Sequence, residues 1–277
     1  MRPEHHSIRP RSAGFTLAEM AIVLVIVGLL LTSVLSTVST QLDARNIAET
    51  QSRLNQIKEA LIGYAQANGR LPCPADGTLA TGATGAGQEP ALVSNSCPTA
   101  AKYAVLPWAT LGVSESDVWG RRFTYKVSSD FSDAISGTTT YGCGATTPVP
   151  TPTLSTFALC AQGTFTIRTR TATAAGKDPG TPVSNVPVVI ISHGKNGYGA
   201  YTPGGTQYSV PSTSGYVDEP ANATATSTTF YSREQSPQTS TCSDTAANTP
   251  FCEFDDLVAY IPANVLVTKM VAAGKLP

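Results

Sequence analysis

Apolar residues crowd the start of the chain and thin out towards its end. Between residues 15 and 38 the only ionisable side chain is Glu19, and 20–31 are almost purely Ala, Ile, Val, Leu and Gly. As a helix this run spans roughly 36 Å, enough to cross a bilayer. Further on the pattern narrows to a stripe. Ile47, Leu54, Ile57, Leu61 and Ala65 recur at helical spacing among Gln41, Arg45, Glu49, Gln51, Arg53 and Lys58. No proline interrupts residues 15–71. The pattern predicts one helix of about 50 residues, its first half apolar all round and its second half packing one face, stopped at Asn68-Gly69.

After the helix the period shortens. Phe123, Tyr125 and Val127 alternate with Arg122, Thr124 and Lys126, which predicts a strand with one buried and one wet face. Further strands are predicted at 157–160, 164–170, 187–192, 228–232 and 256–261. Residues 262–273 read as a closing helix, with Pro262 in its first turn and Gly274 as its stop. Residues 78–100 have no apolar period and read as a surface loop. A long helix followed by strands without intervening helices is an α+β pattern with a mostly antiparallel sheet. The expected division is a leader at 1–14, a transmembrane helix at 15–38, its amphipathic continuation at 39–69 and a globular region at 70–277.

Charge adds an orientation. Arg2, Arg9 and Arg11 precede the apolar run, so the N-terminus is expected in the cytoplasm and the rest across the membrane. An ordinary secretory signal would end in a small-x-small cleavage site after the apolar run, but here helix-compatible sequence continues without a break. Over the 277 residues only 13% are charged and the net charge is -1, so nothing suggests a nucleic-acid surface.

Cysteines agree with export. All six, Cys73, Cys97, Cys143, Cys160, Cys242 and Cys252, lie beyond the apolar run, as expected in an oxidising compartment. None forms a C-x-x-C pair, and after residue 14 the only histidine is His193, a pattern that does not predict a zinc site. The favoured pairing is the sequence-local one: Cys73–Cys97, Cys143–Cys160 and Cys242–Cys252. Each would close a loop rich in turn formers.

Glu19 is the first candidate for chemistry. A carboxylate inside an apolar membrane segment is expensive and is usually functional. If the chain were cut before Phe15, a neighbouring subunit's new amine could pair with Glu19 and fix the register between helices. The bland alternative is a glutamate favoured at a helix N-terminus by the helix dipole. From the residues alone both remain open.

The string Gly14-Phe15-Thr16-Leu17-Ala18-Glu19-Met20, joined to the apolar run, resembles the processing site of type IV prepilins and type II secretion pseudopilins. The resemblance implies cleavage after Gly14 by a prepilin peptidase, N-methylation of Phe15, and Glu19 as the assembly residue. It also implies a single-pass protein of the bacterial inner membrane with its head in the periplasm. Its partners would be the peptidase, other pilin or pseudopilin subunits, the assembly platform and membrane lipid. Many relatives carry a proline two-thirds through the apolar stretch, where this chain has Ser36, which points to a minor subunit. In the head, Asp117-Val118-Trp119-Gly120 with Phe123 and Tyr125 resembles the major pseudopilin group. Leu71-Pro72-Cys73-Pro74-Ala75, Leu106-Pro107-Trp108 and Phe254-Asp255-Asp256-Leu257-Val258 resemble bacterial prepilin-like proteins of little assigned function.

Two segments of the head could carry chemistry. Ser192-His193-Gly194-Lys195-Asn196-Gly197 holds the histidine. Adjacent residues of an extended chain point to opposite faces, so Ser192 and His193 cannot form a nucleophile–base pair. A turn carried by Asn196-Gly197 is the expectation, and no enzyme is predicted. Asp255 and Asp256 could offer hard oxygen ligands, with carbonyls of the 193–199 turn adding others. The major pseudopilin group binds calcium in a comparable C-terminal loop, so the resemblance implies a calcium site here. The expected function is a structural subunit of a type IV pilus or type II secretion pseudopilus, minor or at the tip. The alternatives are an adhesin-like subunit binding through the Ser/Thr-rich loops at 202–229, or a signal-anchored enzyme outside any filament.

Overall fold

The structure is a computed structural model that describes residues 14, 16–134, 155–173, 176–178 and 180–276, with the backbone alone for 31–40 and 173. Phe15 and Cys143 lie outside the described residues, as does the leader before Gly14. The chain divides into two compact units, Met1–Ile47 and Ala48–Pro277. Helix α1, Leu17–Asn68, begins in the first and ends in the second.

In the first unit α1 carries large apolar side chains that stand exposed among the described residues. Leu17, Met20, Leu24, Leu29 and Leu30 are all exposed. Among the described residues no helix is long and apolar enough to cross a membrane, the side chains of 31–40 standing outside that statement.

In the second unit the helix stripe is buried as its spacing predicts. Leu54, Ile57, Leu61 and Ala65 are each at most 3% exposed, and Ile47, just before this unit, is half-buried. The helix stops at Asn68. Gly69 has φ of 71°, the left-handed conformation that glycine adopts without a Cβ clash, and its N–H returns to the Ala65 carbonyl at 2.8 Å. There follow β1 (Ala75–Asp76), β2 (Tyr103–Val105), α2 (Trp108–Leu111), β3 (Thr124–Val127) and α3 (Ser129–Ser132). After the undescribed segment come β4 (Phe165–Arg168), β5 (Thr171–Thr173), β6 (Gly176–Asp178), β7 (Val183–Val186) and β8 (Val188–Ser192). The last elements are α4 (Asp218–Ala223), β9 (Thr229–Tyr231), β10 (Leu257–Ile261) and α5 (Ala263–Ala272).

The strands make a five-stranded sheet in the order β1-β2-β3-β8-β10, a three-stranded sheet β7-β4-β9 and the hairpin β5-β6. Every pairing is antiparallel except β4 with β9. The chain is therefore α+β with antiparallel-rich sheets. β8, buried along its whole length, divides the core. On one face Val188 and Ile190 meet Leu54, Ile57 and Leu61 of α1 and Leu266 and Met270 of α5. On the other Val189 and Ile191 meet Phe165, Ile167, Val186 and Phe230 of the smaller sheet.

One expectation is corrected. Arg122, Thr124 and Lys126 do not face water; each is at most 8% exposed. Arg122 is covered by Trp108, Glu115 and the carbonyls of Gly77, Leu79 and Pro203, Thr124 meets His193, and Lys126 meets the Ala225 carbonyl between α4 and β9. A second correction concerns 157–160, which is no strand. Phe157 is turned in to stack on Phe131 at 4.6 Å, and the Ala161 N–H closes a turn on the Ala158 carbonyl.

Among the described residues two disulfides fasten loops. Cys73–Cys97 closes the loop over 78–96, and Cys242–Cys252 closes a shorter one before β10. The expected Cys143–Cys160 pairing falls partly on residues outside the described ones.

Candidate functional site

Two places carry unusual chemistry, one in each unit. In the first, the N-terminus of α1 is closed by Thr16 and Glu19. The Thr16 N–H and hydroxyl both donate to Glu19 Oε2, at 2.8 and 2.9 Å, while the Glu19 N–H donates to Thr16 Oγ1 at 3.2 Å. This is a capping box, a hydroxyl residue followed three positions on by a glutamate, each satisfying a backbone donor of the other. The bland alternative for Glu19 named a dipole effect; the Thr16-Leu17-Ala18-Glu19 spacing already spelled this stronger local role. Gly14 is exposed, and a Cβ there would meet nothing within 4 Å among the described residues.

The second place lies where β8 ends and β10 begins. The ladder pairs Leu257 with Ser192, which sets Asp256 beside His193 one step further on. Ser192 and His193 diverge as adjacent strand residues must. The Ser192 hydroxyl donates to Asp117 Oδ2 at 2.6 Å, whose other oxygen takes the N–H groups of Trp119 and Arg121. His193, fully buried, has Nε2 2.8 Å from Thr124 Oγ1 and Nδ1 3.3 Å from Asp256 Oδ1. The chain then turns as expected, with the Gly197 N–H on the His193 carbonyl. Gly194 is needed in this turn. Its φ is 56°, and a Cβ would come within 2.5 Å of the Asp255 carboxylate.

Asp255 and Asp256 are joined there by Glu219 from the first turn of α4, and ligand atoms of the three lie within 4.8 Å of one another. Amide donors orient each carboxylate. The Asn196 side chain and the Asp255 N–H hold Glu219 Oε1, both at 3.0 Å; the Asn196 N–H holds Asp255 Oδ2 at 2.9 Å; Asn222 holds Asp256 Oδ2 at 2.7 Å. The other oxygens, Glu219 Oε2, Asp255 Oδ1 and Asp256 Oδ1, are buried without a hydrogen bond, as is His193 Nδ1. With only protein around them, burial pushes the Glu219 and Asp255 carboxyls up from their usual range, and repulsion from Asp256 adds to it.

The structure thus brings Asp255 and Asp256 together with Glu219 and sets Asp256 beside His193. The 193–199 turn meets them with N–H groups, where the sequence suggested carbonyls. Glu219 was not foreseen, because nothing periodic or motif-like marks 218–223. Phe15 lies outside the described residues.

Residues 9–35 match the family model of the prokaryotic N-terminal methylation motif. No curated protein and no solved structure matches the chain. The N-terminal segment is therefore of the prepilin type carried by type IV pilin-like and pseudopilin subunits.

Proposed function

We propose that this chain is a structural subunit of a type IV pilus or type II secretion pseudopilus, minor or at the tip, made as a precursor and cut after Gly14. The observation that carries this reading is the methylation-motif segment at 9–35 joined to a helix whose apolar side chains from Leu17 to Leu30 are exposed among the described residues. Exposed apolar surface on that scale is a binding surface. Residues 15–38 would lie in the inner membrane before assembly, N-terminus in the cytoplasm and head in the periplasm. Neighbouring subunits' helices would take the place of lipid in the filament. Burial of Ile22, Val25 and Leu29 drives that packing, and Glu19 beside a neighbour's Phe15 amine sets its register. The role is architectural, without catalysis.

Intact-mass analysis of the membrane-extracted protein tests this. The mature chain is expected to begin at Phe15 and to carry one added methyl group, and Gly14→Ala to remain largely uncut. A mature wild-type protein that still begins at Met1 would rule the reading out.

A further inference from the structure

Four side chains around the end of β8, three of them buried and Asp255 half-buried, share one arrangement. Each is held through one atom and left bare at the other. His193 is fixed through Nε2 by Thr124, Glu219 through Oε1 by Asn196 and the Asp255 N–H, Asp255 through Oδ2 by the Asn196 N–H, and Asp256 through Oδ2 by Asn222. The remaining atoms, His193 Nδ1, Glu219 Oε2, Asp255 Oδ1 and Asp256 Oδ1, are buried and make no hydrogen bond. Buried polar atoms are nearly always partnered, and four orphans in one place require an explanation. Orienting donors behind bare donor atoms are the pattern of a metal site, where the outer contact fixes the ring or carboxylate and the inner atom ligates.

We propose that His193 Nδ1, Glu219 Oε2, Asp255 Oδ1 and Asp256 Oδ1 ligate a first-row transition-metal dication, of which Mn²⁺ is the type. Ligand atoms about 2.1 Å from a common ion lie roughly 3 to 4.2 Å from one another. His193 Nδ1 stands 3.3 Å from Asp256 Oδ1, inside that range. One oxygen from each of Glu219, Asp255 and Asp256 lies within 4.8 Å of the others, so the three carboxylates would draw together on binding the ion. The imidazole decides the class of ion. Calcium, which the family resemblance implies for Asp255 and Asp256, takes six to eight oxygens. One nitrogen with three carboxylate oxygens is a borderline set that suits manganese, iron or zinc better. Thr124 Oγ1, 2.8 Å from His193 Nε2, completes the logic: donating its hydroxyl proton to Nε2 would leave Nδ1 protonated, whereas accepting from Nε2–H leaves the Nδ1 lone pair for the metal. The metal would tie α4, the 193–197 turn and the start of β10 together. This inference is independent of filament assembly.

The test uses the full chain, extracted and purified without chelator, then stripped and titrated with Mn²⁺, Zn²⁺ and Ca²⁺ while metal content and Tm are followed. One equivalent of Mn²⁺ or Zn²⁺ per chain is expected, with a rise in Tm that chelator reverses and Ca²⁺ at the same concentration does not reproduce. Asp255→Asn, a nearly isosteric change at the least buried ligand, is expected to fold and to lose that uptake at least tenfold. Pulsed EPR of the Mn²⁺-loaded wild-type chain is expected to show coupling to an imidazole nitrogen, a readout that needs no variant at buried His193. No stoichiometric uptake of any of the three ions would overturn the proposal and leave shared protons as the partners of the carboxylates. Uptake of Ca²⁺ alone, or bound Mn²⁺ without nitrogen coupling, would overturn the imidazole-containing ligand set.

Discussion

Lys126 is a lone ammonium on the inner side of β3, between the two sheets. It is 8% exposed, and its Nζ donates to the Ala225 carbonyl at 2.9 Å. Burial alone lowers its pKa to about 8. Unfolded, the same amine titrates near its ordinary 10.5. Between these values the unfolded chain holds a proton that the folded chain has released, so stability rises with pH across that window. Below about pH 8 both states are protonated and the whole penalty of burying the cation, on the order of 3 kcal/mol, is present. Lys126→Met keeps the stem and removes the charge. It is expected to be more stable than wild type at pH 7, with the advantage shrinking towards pH 10.5. Denaturant unfolding of both chains at the two pH values measures this; a pH-independent difference would mean that the amine keeps its charge on folding. Arg122, on the same face, contrasts with it. Also fully buried, it is answered by Glu115 and by the carbonyls of Gly77, Leu79 and Pro203.

The smaller sheet rests on β4 and β9, a parallel pair that no tight turn can join. Its ends are fixed by ions. Arg170, two residues past β4, and Arg233, two residues past β9, both donate through Nε to Asp218 at the start of α4, at 2.5 and 2.8 Å. Arg233 also reaches Asp244, which takes the N–H of disulfide-bonded Cys252. All four charged side chains are at most 4% exposed. Asp218→Ala leaves two buried guanidinium groups with one carboxylate between them and is expected to cost on the order of 3–5 kcal/mol. A loss below about 1 kcal/mol in chemical unfolding would show that water replaces the carboxylate. These elements mark the limit of what the sequence discloses. The α1 stripe, β3, β8, β10 and α5 were legible because continuous apolar periods mark them. β4 and β9 were expected too, at 164–170 and 228–232, but nothing in their sequence showed that they pair with each other, and the four-residue β7 that completes their sheet was not foreseen. Alternation in β3 sorted its residues onto the right faces but could not say what covers the polar one. The carboxylate cluster was half legible for the same reason: Asp255-Asp256 is adjacent in sequence, whereas Glu219 joins it only through the fold.

At the scale of the molecule the two units follow opposite rules. The second closes its core on itself. The first leaves the apolar residues between Leu17 and Leu30 exposed and places one carboxylate, Glu19, among them, so what it does depends on what surrounds it. Two roles for Glu19 can be separated. Capping Thr16 is local and survives cleavage, since the Thr16 N–H remains after a cut at Gly14; such a cap is worth about 1 kcal/mol. Pairing with a neighbour's Phe15 amine needs the charge, because an unpaired charge in a dry helix bundle costs several kcal/mol. Glu19→Gln keeps an acceptor for Thr16 and discards the charge; Glu19→Ala discards both. Each makes the segment no less apolar, so membrane insertion is expected to persist. Processing is expected to persist too, because the scissile bond precedes Phe15. Both variants are expected at wild-type level in the membrane, begin at Phe15 by mass, and fail to co-purify with partner subunits in filaments. The glutamine variant decides the matter. If it assembles like wild type while the alanine variant does not, the cap is what assembly requires, and the ionic pairing between subunits is wrong.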